Sequence, residues 1–312
     1  MLLTAQGHLL VDWADDRVEL RSQAGETIWI TDFKALPGFE RIFVYDLAEE
    51  ADGNFLAVGV ESTTPPRTVL FRVFATAGQA ALLNAGFDVA PGSLMVAPGG
   101  QRYLLGLSAA NFNRLVYLSA TKRLPADAMF EDFLIHELDA QGRLQSSIFR
   151  IQKSIRRGPG LAAIESRLNS HRLVFSPQGK AYIRHLREPW ISEMDLESGT
   201  RGKTLHFAGG EFTSGLYIPS LEFVSEEMFS ATIMSQADRG LVFEVRSVDL
   251  STGTSWTRFK GEDGSTTPVS VVLDRISEDV LVIPLAGRSR ATVVNQYPIL
   301  EFKQIRTDPF FR

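Results

Sequence analysis

Along this chain, short apolar runs alternate with polar turns that carry glycine, and almost nowhere does a helical spacing of apolar positions compete with them. The clearest copy is 175–183, Phe-Ser-Pro-Gln-Gly-Lys-Ala-Tyr-Ile: an apolar strand signal, a Pro-Gln-Gly turn, and a second strand signal. Runs rich in Val, Ile, Leu and aromatics, bounded by Gly, Asp, Ser and Pro, fit a pleated half-buried surface and read as strands joined by hairpins.

The same order recurs about six times. The first unit reads 8–13, 18–21 and 27–31; the second 42–45, 55–60, 68–74 and a weaker 81–83; the third 93–96, 102–107 and 133–138. The fourth gives 173–175, 181–185, 191–196 and 203–207; the fifth 221–224, 228–234, 241–250 and 255–259; the sixth 269–273, 280–285 and 291–295, with 299–305 available to close it. The turns before each second strand fall near 7, 53, 100, 179, 226 and 278, spaced by 46, 47, 79, 47 and 52. Only the third interval is long, and two segments account for it. One is an insertion at about 109–131; the other is a basic, partly helical segment at about 153–172, whose 161–168 stretch (LAAIESRL) is the best helix signal in the chain.

A repeat of about 40 to 50 residues with four strands per unit is the signature of a β-propeller, in which each blade is one four-stranded sheet. The expected fold is therefore all-β, a single six-bladed propeller of four-stranded antiparallel blades across residues 1–312, with an insertion in blade 3 and a short helix before blade 4.

The loop between second and third strands repeatedly carries arginine: Asp15-Asp16-Arg17, Pro65-Pro66-Arg67, Asn111-Phe112-Asn113-Arg114, Asp238-Arg239 and Arg288-Ser289-Arg290. With the later Asp139-Ala140-Gln141-Gly142 and Asp195-Leu196-Glu197-Ser198-Gly199 turns, this order resembles the degenerate repeats of NHL-like six-bladed propellers, over most of the chain. The resemblance implies a loop surface around a central channel used for binding; such propellers include both binding modules and enzymes, so fold alone leaves function open.

Composition narrows the classes. A net charge of -5 argues against a dedicated nucleic-acid binder, which needs a basic excess to displace counterions. The basic residues Lys153, Arg156, Arg157, Arg167 and Arg172 lack interleaved aromatics and read as a solvated linker. Zero cysteine excludes disulfides, thiolate metal sites and cysteine nucleophiles. The N-terminal residues form no basic n-region or signal-like apolar run, and no segment reaches 18 consecutive apolar residues. The expectation is a soluble protein without a membrane span, cytoplasmic or exported with its leader removed; oligomeric state is not legible.

Few local motifs carry chemistry. Gly158-Pro159-Gly160-Leu161-Ala162-Ala163 matches a dinucleotide fingerprint formally, but there is no βαβ context, so it reads as a loop capping a helix. No G-x-S-x-G elbow or D-x-D-x-D-G calcium loop occurs, and the five histidines form no metal-spaced pair. The candidate binding residues are Arg17, Arg67, Arg114, Arg239 and Arg290, whose planar forks suit carboxylate or phosphate, together with His171, which opens a first strand, and Trp190, exposed-looking beside Pro189. Each has a structural alternative: arginine stacking on neighbouring blades, a capping histidine, aromatic packing between blades. No cofactor is expected for a binding scaffold that takes a protein or small-molecule ligand. The competing expectation is a metal-dependent, lactonase-like hydrolase. That resemblance implies a channel calcium, for which Glu40, Asn169 and Glu222 flank first strands.

Overall fold

The computed structural model describes residues 2–4, 7–12, 16–22, 26–114, 128–155, 171–207, 216, 218, 221–237, 240–263, 269–273, 280–284 and 303–305. The chain forms two compact units. One is Met1–His171 with Asp195–Arg201; the other is Arg172–Met194 with Gly202–Arg312.

The fold is all-β and is wound as successive antiparallel meanders, the blade organisation of a β-propeller. The first sheet holds β1 (Leu2–Thr4), β2 (Gly7–Asp12), β3 (Arg17–Arg21) and β4 (Thr27–Asp32), and the second β5 (Ile42–Glu49), β6 (Phe55–Glu61), β7 (Arg67–Val73) and β8 (Ala80–Phe87). The third holds β9 (Val89–Val96), β10 (Arg102–Ser108), β11 (Ala128–Leu138) and β12 (Leu144–Ile155), and the fourth β13 (His171–Phe175), β14 (Ala181–His185), β15 (Trp190–Asp195) and β16 (Thr200–His206). The fifth holds β17 (Leu221–Phe223), β18 (Met228–Ala237), β19 (Gly240–Asp249) and β20 (Ser255–Asp263); β21 (Val269–Leu273), β22 (Val280–Pro284) and β23 (Lys303–Ile305) form a three-stranded sheet. In every sheet the strands pair in chain order.

The turns between first and second strands are copies of one another. Ser176 N–H donates to Lys180 O and Gly179 N–H to Ser176 O; Ala97, Gln101 and Gly100 repeat this pattern, as do Glu50, Asn54 and Gly53. Gly179 sits at φ +88°, in the left-handed region where a Cβ is penalised, which is why the turn ends in glycine. The turns between third and fourth strands use aspartate. Asp139, Asp195 and Asp249 each accept backbone N–H groups from the following residues through Oδ1, at 2.8 to 3.3 Å. Hydroxyl donation from Ser198 to Asp195 and from Ser251 to Asp249, and the backbone bond from Arg143 to Asp139, lead the interactions that hold all three carboxyls below the usual carboxylate range.

The core lies between consecutive sheets. One apolar cluster joins Val18, Leu20, Trp29 and Phe33 to Ile42, Phe55, Val69 and Phe71; a second joins Leu56, Val58 and Leu70 to Leu94, Leu104 and Leu138. In the other unit, Val174, Tyr182 and Ile191 pack with Phe207, Phe223, Phe229 and Ile233. Among the described residues, a glycine in the 3–4 turn of the second, third, fourth and fifth sheets abuts the preceding sheet. Gly78 lies against Trp29, Gly142 against Leu70 and Leu83, Gly199 against Ile148 and Phe149, and Gly253 against Leu205. Side chains reinforce the seam: Trp29 Nε1 donates to Ala75 O at 2.7 Å, Thr31 Oγ1 to Gly78 O, and Asn84 Nδ2 to Gly142 O at 2.8 Å.

Three features depart from the sequence reading. β12 runs for 12 residues through a stretch that carries no strong strand signal, and it takes up Lys153–Ile155 of the expected basic segment. β11 begins at Ala128, so the described part of the expected insertion is a helical turn at 109–114 followed by strand from 128. Trp190 is buried rather than exposed, because it opens β15 instead of ending a loop. The expected helix at 161–168 and the strand at 291–295 lie outside the described residues.

Candidate functional site

A four-stranded meander puts its 2–3 connection at the same end as the chain entering and leaving the sheet, and its 1–2 and 3–4 turns at the other. In the first unit the connection end therefore collects Arg17, the first residue of β3, Arg67, the first residue of β7, and Arg114, the exposed last residue of the 109–114 turn. Three of the five predicted loop arginines thus share one end of one unit. Arg239 and Arg290 lie outside the described residues.

The best-defined part of that end is built on two buried carboxylates. Asp16, with a side chain 1% exposed, takes φ +53°, a conformation aspartate tolerates better than most residues. Its carbonyl accepts the Phe33 N–H at 3.0 Å and its Oδ2 accepts Arg41 Nε at 2.9 Å. Glu61, 2% exposed, takes the same role one sheet later, accepting Arg67 Nε through Oε2 and the Glu40 N–H at 3.0 Å through Oε1. Burial opposes ionisation of Glu61, but these bonds outweigh it, and its carboxyl lies below the usual range.

Both guanidiniums remain accessible, at 51% for Arg41 and 43% for Arg67. Each gives only Nε to its carboxylate, so the terminal amino groups have no partner among the described residues. Each also rests on an aromatic face: Arg41 lies 4.5 Å from the Phe43 ring centroid and Arg67 5.9 Å from that of Phe39. Phe39 is itself set edge-on against buried Phe71 at 5.3 Å. On β5, Ile42 and Val44 are buried while Phe43 and Tyr45 are exposed, so an aromatic pair faces solvent beside Arg41. The chemistry on offer is directed donation to anions next to aromatic contact area.

Sequence reasoning missed Arg41, Phe43 and Tyr45. Period-two alternation was the available signal, but Ile42-Phe43-Val44-Tyr45 is apolar at every position, so it does not say which face is outward. Glu40 is exposed and contributes its backbone N–H to the Glu61 cluster. His171 opens β13 as predicted and is buried. In the second unit, Trp190 donates Nε1–H to Glu188 Oε2 at 2.9 Å and stacks on His185 at 5.9 Å; Glu222 is half-buried in β17, opposite Ser230. Asn169 lies outside the described residues. Among the described residues, no three His, Asp or Glu side chains converge as a metal site.

One buried contact has the form of a nucleophile and its base: Ser147 Oγ lies 2.9 Å from His136 Nδ1, and His136 Nε2 lies 3.2 Å from Gly106 O. Burial lowers the affinity of this imidazole for a proton, the reverse of what a base needs when it accepts one from serine. His136 is a satisfied core histidine between cross-strand neighbours.

No family model matches the chain, and no curated protein matches it. Among solved structures, a protein of unknown function from Bacteroides caccae is similar at 9% identity, covering 90% of this chain and 84% of that one, with a TM-score of 0.51. The periplasmic gluconolactonase PpgL of Pseudomonas aeruginosa is 15% identical over 85% of this chain and 69% of that one, with a TM-score of 0.47. Virginiamycin B lyase from Staphylococcus aureus is 10% identical over 91% and 90%, with a TM-score of 0.46. At these identities the likeness concerns the course of the backbone. Among the described residues, no helix is long and apolar enough to cross a membrane.

Proposed function

We propose that this protein is a six-bladed, NHL-like propeller that works as a binding scaffold, engaging its ligand through the connection ends of its sheets. One observation carries the reading: Arg41 and Arg67 are each fixed by a buried carboxylate with their outer amino groups open, Arg41 against the exposed Phe43 and Arg67 over Phe39. Arginine and aromatic side chains are the residue types that concentrate binding energy at interfaces.

The cysteine-free sequence makes the test direct. Single-cysteine variants Ser62→Cys and Asn113→Cys at the connection end, and Gln141→Cys at the turn end, are labelled with a photocrosslinker and exposed to native extract. The reading expects adducts from the first two and not from the third; the opposite pattern removes it. Elemental analysis of the purified protein runs alongside. Stoichiometric calcium or zinc would replace the scaffold reading with the hydrolase one, with Glu40, Asn169 and Glu222 as the residues to substitute.

A further inference from the structure

We infer that the 195–201 turn of the fourth sheet is a strap seated under strain on β12, and that it releases as one piece together with the middle of that strand. The inference concerns the turn end and is independent of the binding reading above. It starts from Phe149, which takes φ +58°; among the described residues, Asp16 is the only other non-glycine at positive φ. Aspartate tolerates this region through its short polar side chain. The Cβ of a phenylalanine crowds the following carbonyl there, so the conformation persists only where the surroundings impose it. The ladder shows the disturbance: β11 and β12 pair Phe133 with Arg150 and Ile135 with Ile148, and pass over Leu134 and Phe149.

Gly199 stands against this residue. It has φ +68°, and a Cβ built on it would lie 2.9 Å from Phe149 N. At the other described seams the corresponding glycines meet side chains: Trp29 for Gly78, Leu70 for Gly142 and Leu205 for Gly253. Grip differs as well. Gly78 and Gly142 are buried, and each carbonyl accepts a donor from the preceding fourth strand, Thr31 Oγ1 and Asn84 Nδ2. Gly199 is half-buried, and among the described residues no side chain donates to its carbonyl. None of residues 195–201 is buried. A segment with little buried surface and no clasp opens at low free energy, and relief of the Phe149 backbone lowers it further. The turn keeps its shape when it leaves, because Asp195 accepts the Glu197 and Ser198 N–H groups and the Ser198 hydroxyl. Both ends of the strap are also places where the chain passes between units: Asp195–Arg201 belongs to the first, Arg172–Met194 and Gly202–Arg312 to the second.

Hydrogen exchange of the full chain, read by mass spectrometry at neutral pH, tests the strap. In the wild type, residues 147–151 should exchange faster than residues 82–85, which hold the equivalent place in β8. Phe149→Asn, which tolerates the left-handed region, should slow exchange by about tenfold both at 147–151 and in the turn at 196–201. Phe149→Gly, which adopts that region without steric cost, serves if the asparagine variant fails to fold. Gly199→Ala places a methyl group against Phe149 N and should speed exchange at 147–151 while leaving 139–143 unchanged. The inference is overturned if 147–151 exchanges no faster than 82–85, if relieving Phe149 changes β12 but not the turn, or if Gly199→Ala leaves β12 as it was.

Discussion

Asp16 and Glu61 each fix an arginine by its Nε, but they differ in what depends on them. Asp16 also anchors Phe33, where the chain leaves the first sheet, through its carbonyl, whereas Glu61 is held in the strand ladder of the second sheet and reaches beyond it through its side chain. Glu61→Gln should therefore be tolerated as a fold and cost about 1 to 3 kcal/mol in urea unfolding at neutral pH, the loss of a charge-assisted bond to a partly exposed partner. The folded carboxyl of Glu61 lies below 4.5, so its contribution is complete above that value and disappears as pH falls through the depressed one. The stability gap between wild type and variant should close in acid. For His136, the folded imidazole is depressed below 6.5, so the unfolded chain takes up the proton first. Stability should start to fall as pH drops below 6.5, by about 1.4 kcal/mol per unit of difference between the two states, and His136→Asn should flatten that limb. At this scale the sequence located Arg17, Arg67 and Arg114 in equivalent loops, because loop position follows from strand order. It could not show that Arg41 is tethered, because that depends on Asp16, 25 residues earlier, and it misjudged Trp190 because Pro189 beside it signals a loop where β15 in fact begins.

Strands and turns were the most legible level. The repeated Gly turns and the Asp turns appear in the sequence as they do in the structure, since each is a local device with its own hydrogen bonds. β12 escaped because a fourth strand has a neighbour on one side only and can be polar; Leu144 is exposed, Gln145 and Arg150 are exposed, and few positions give an apolar signal. The roles of the glycines also differ in a way composition does not reveal. A Cβ at Gly179 would meet nothing, whereas at Gly142 it would lie 2.5 Å from Leu70 Cδ2. Both have positive φ, so Gly179→Ala should cost about 1 kcal/mol from backbone strain, and Gly142→Ala about 1 to 3 kcal/mol more from overpacking the seam. Thermal unfolding of the two variants side by side separates strain from seam contact.

For the chain as a whole, an isoelectric point of about 5.6 means that net charge vanishes well above the pH at which Asp139, Asp195, Asp249 and Glu61 take up protons. Turbidity should therefore peak near pH 5.6 while circular dichroism still reports native sheet, because loss of charge promotes association before loss of carboxylates destabilises the fold. The alternation and the 46- to 47-residue spacing carried the all-β blade organisation into view, but nothing in the sequence registers how consecutive sheets interlock. That interlock is directional: Trp29 and Thr31 in the first sheet wait for Ala75 and Gly78, 46 and 47 residues later, and Asn84 waits 58 residues for Gly142. On a ribosome adding about 5 to 20 residues per second, each newly made sheet keeps one flank open for roughly 2 to 12 seconds until its successor emerges. Synthesis thus proceeds with a travelling exposed flank, and a pause that holds Ala75 and Gly78 inside the ribosome leaves Trp29 uncovered, whereas one placed after both have emerged does not.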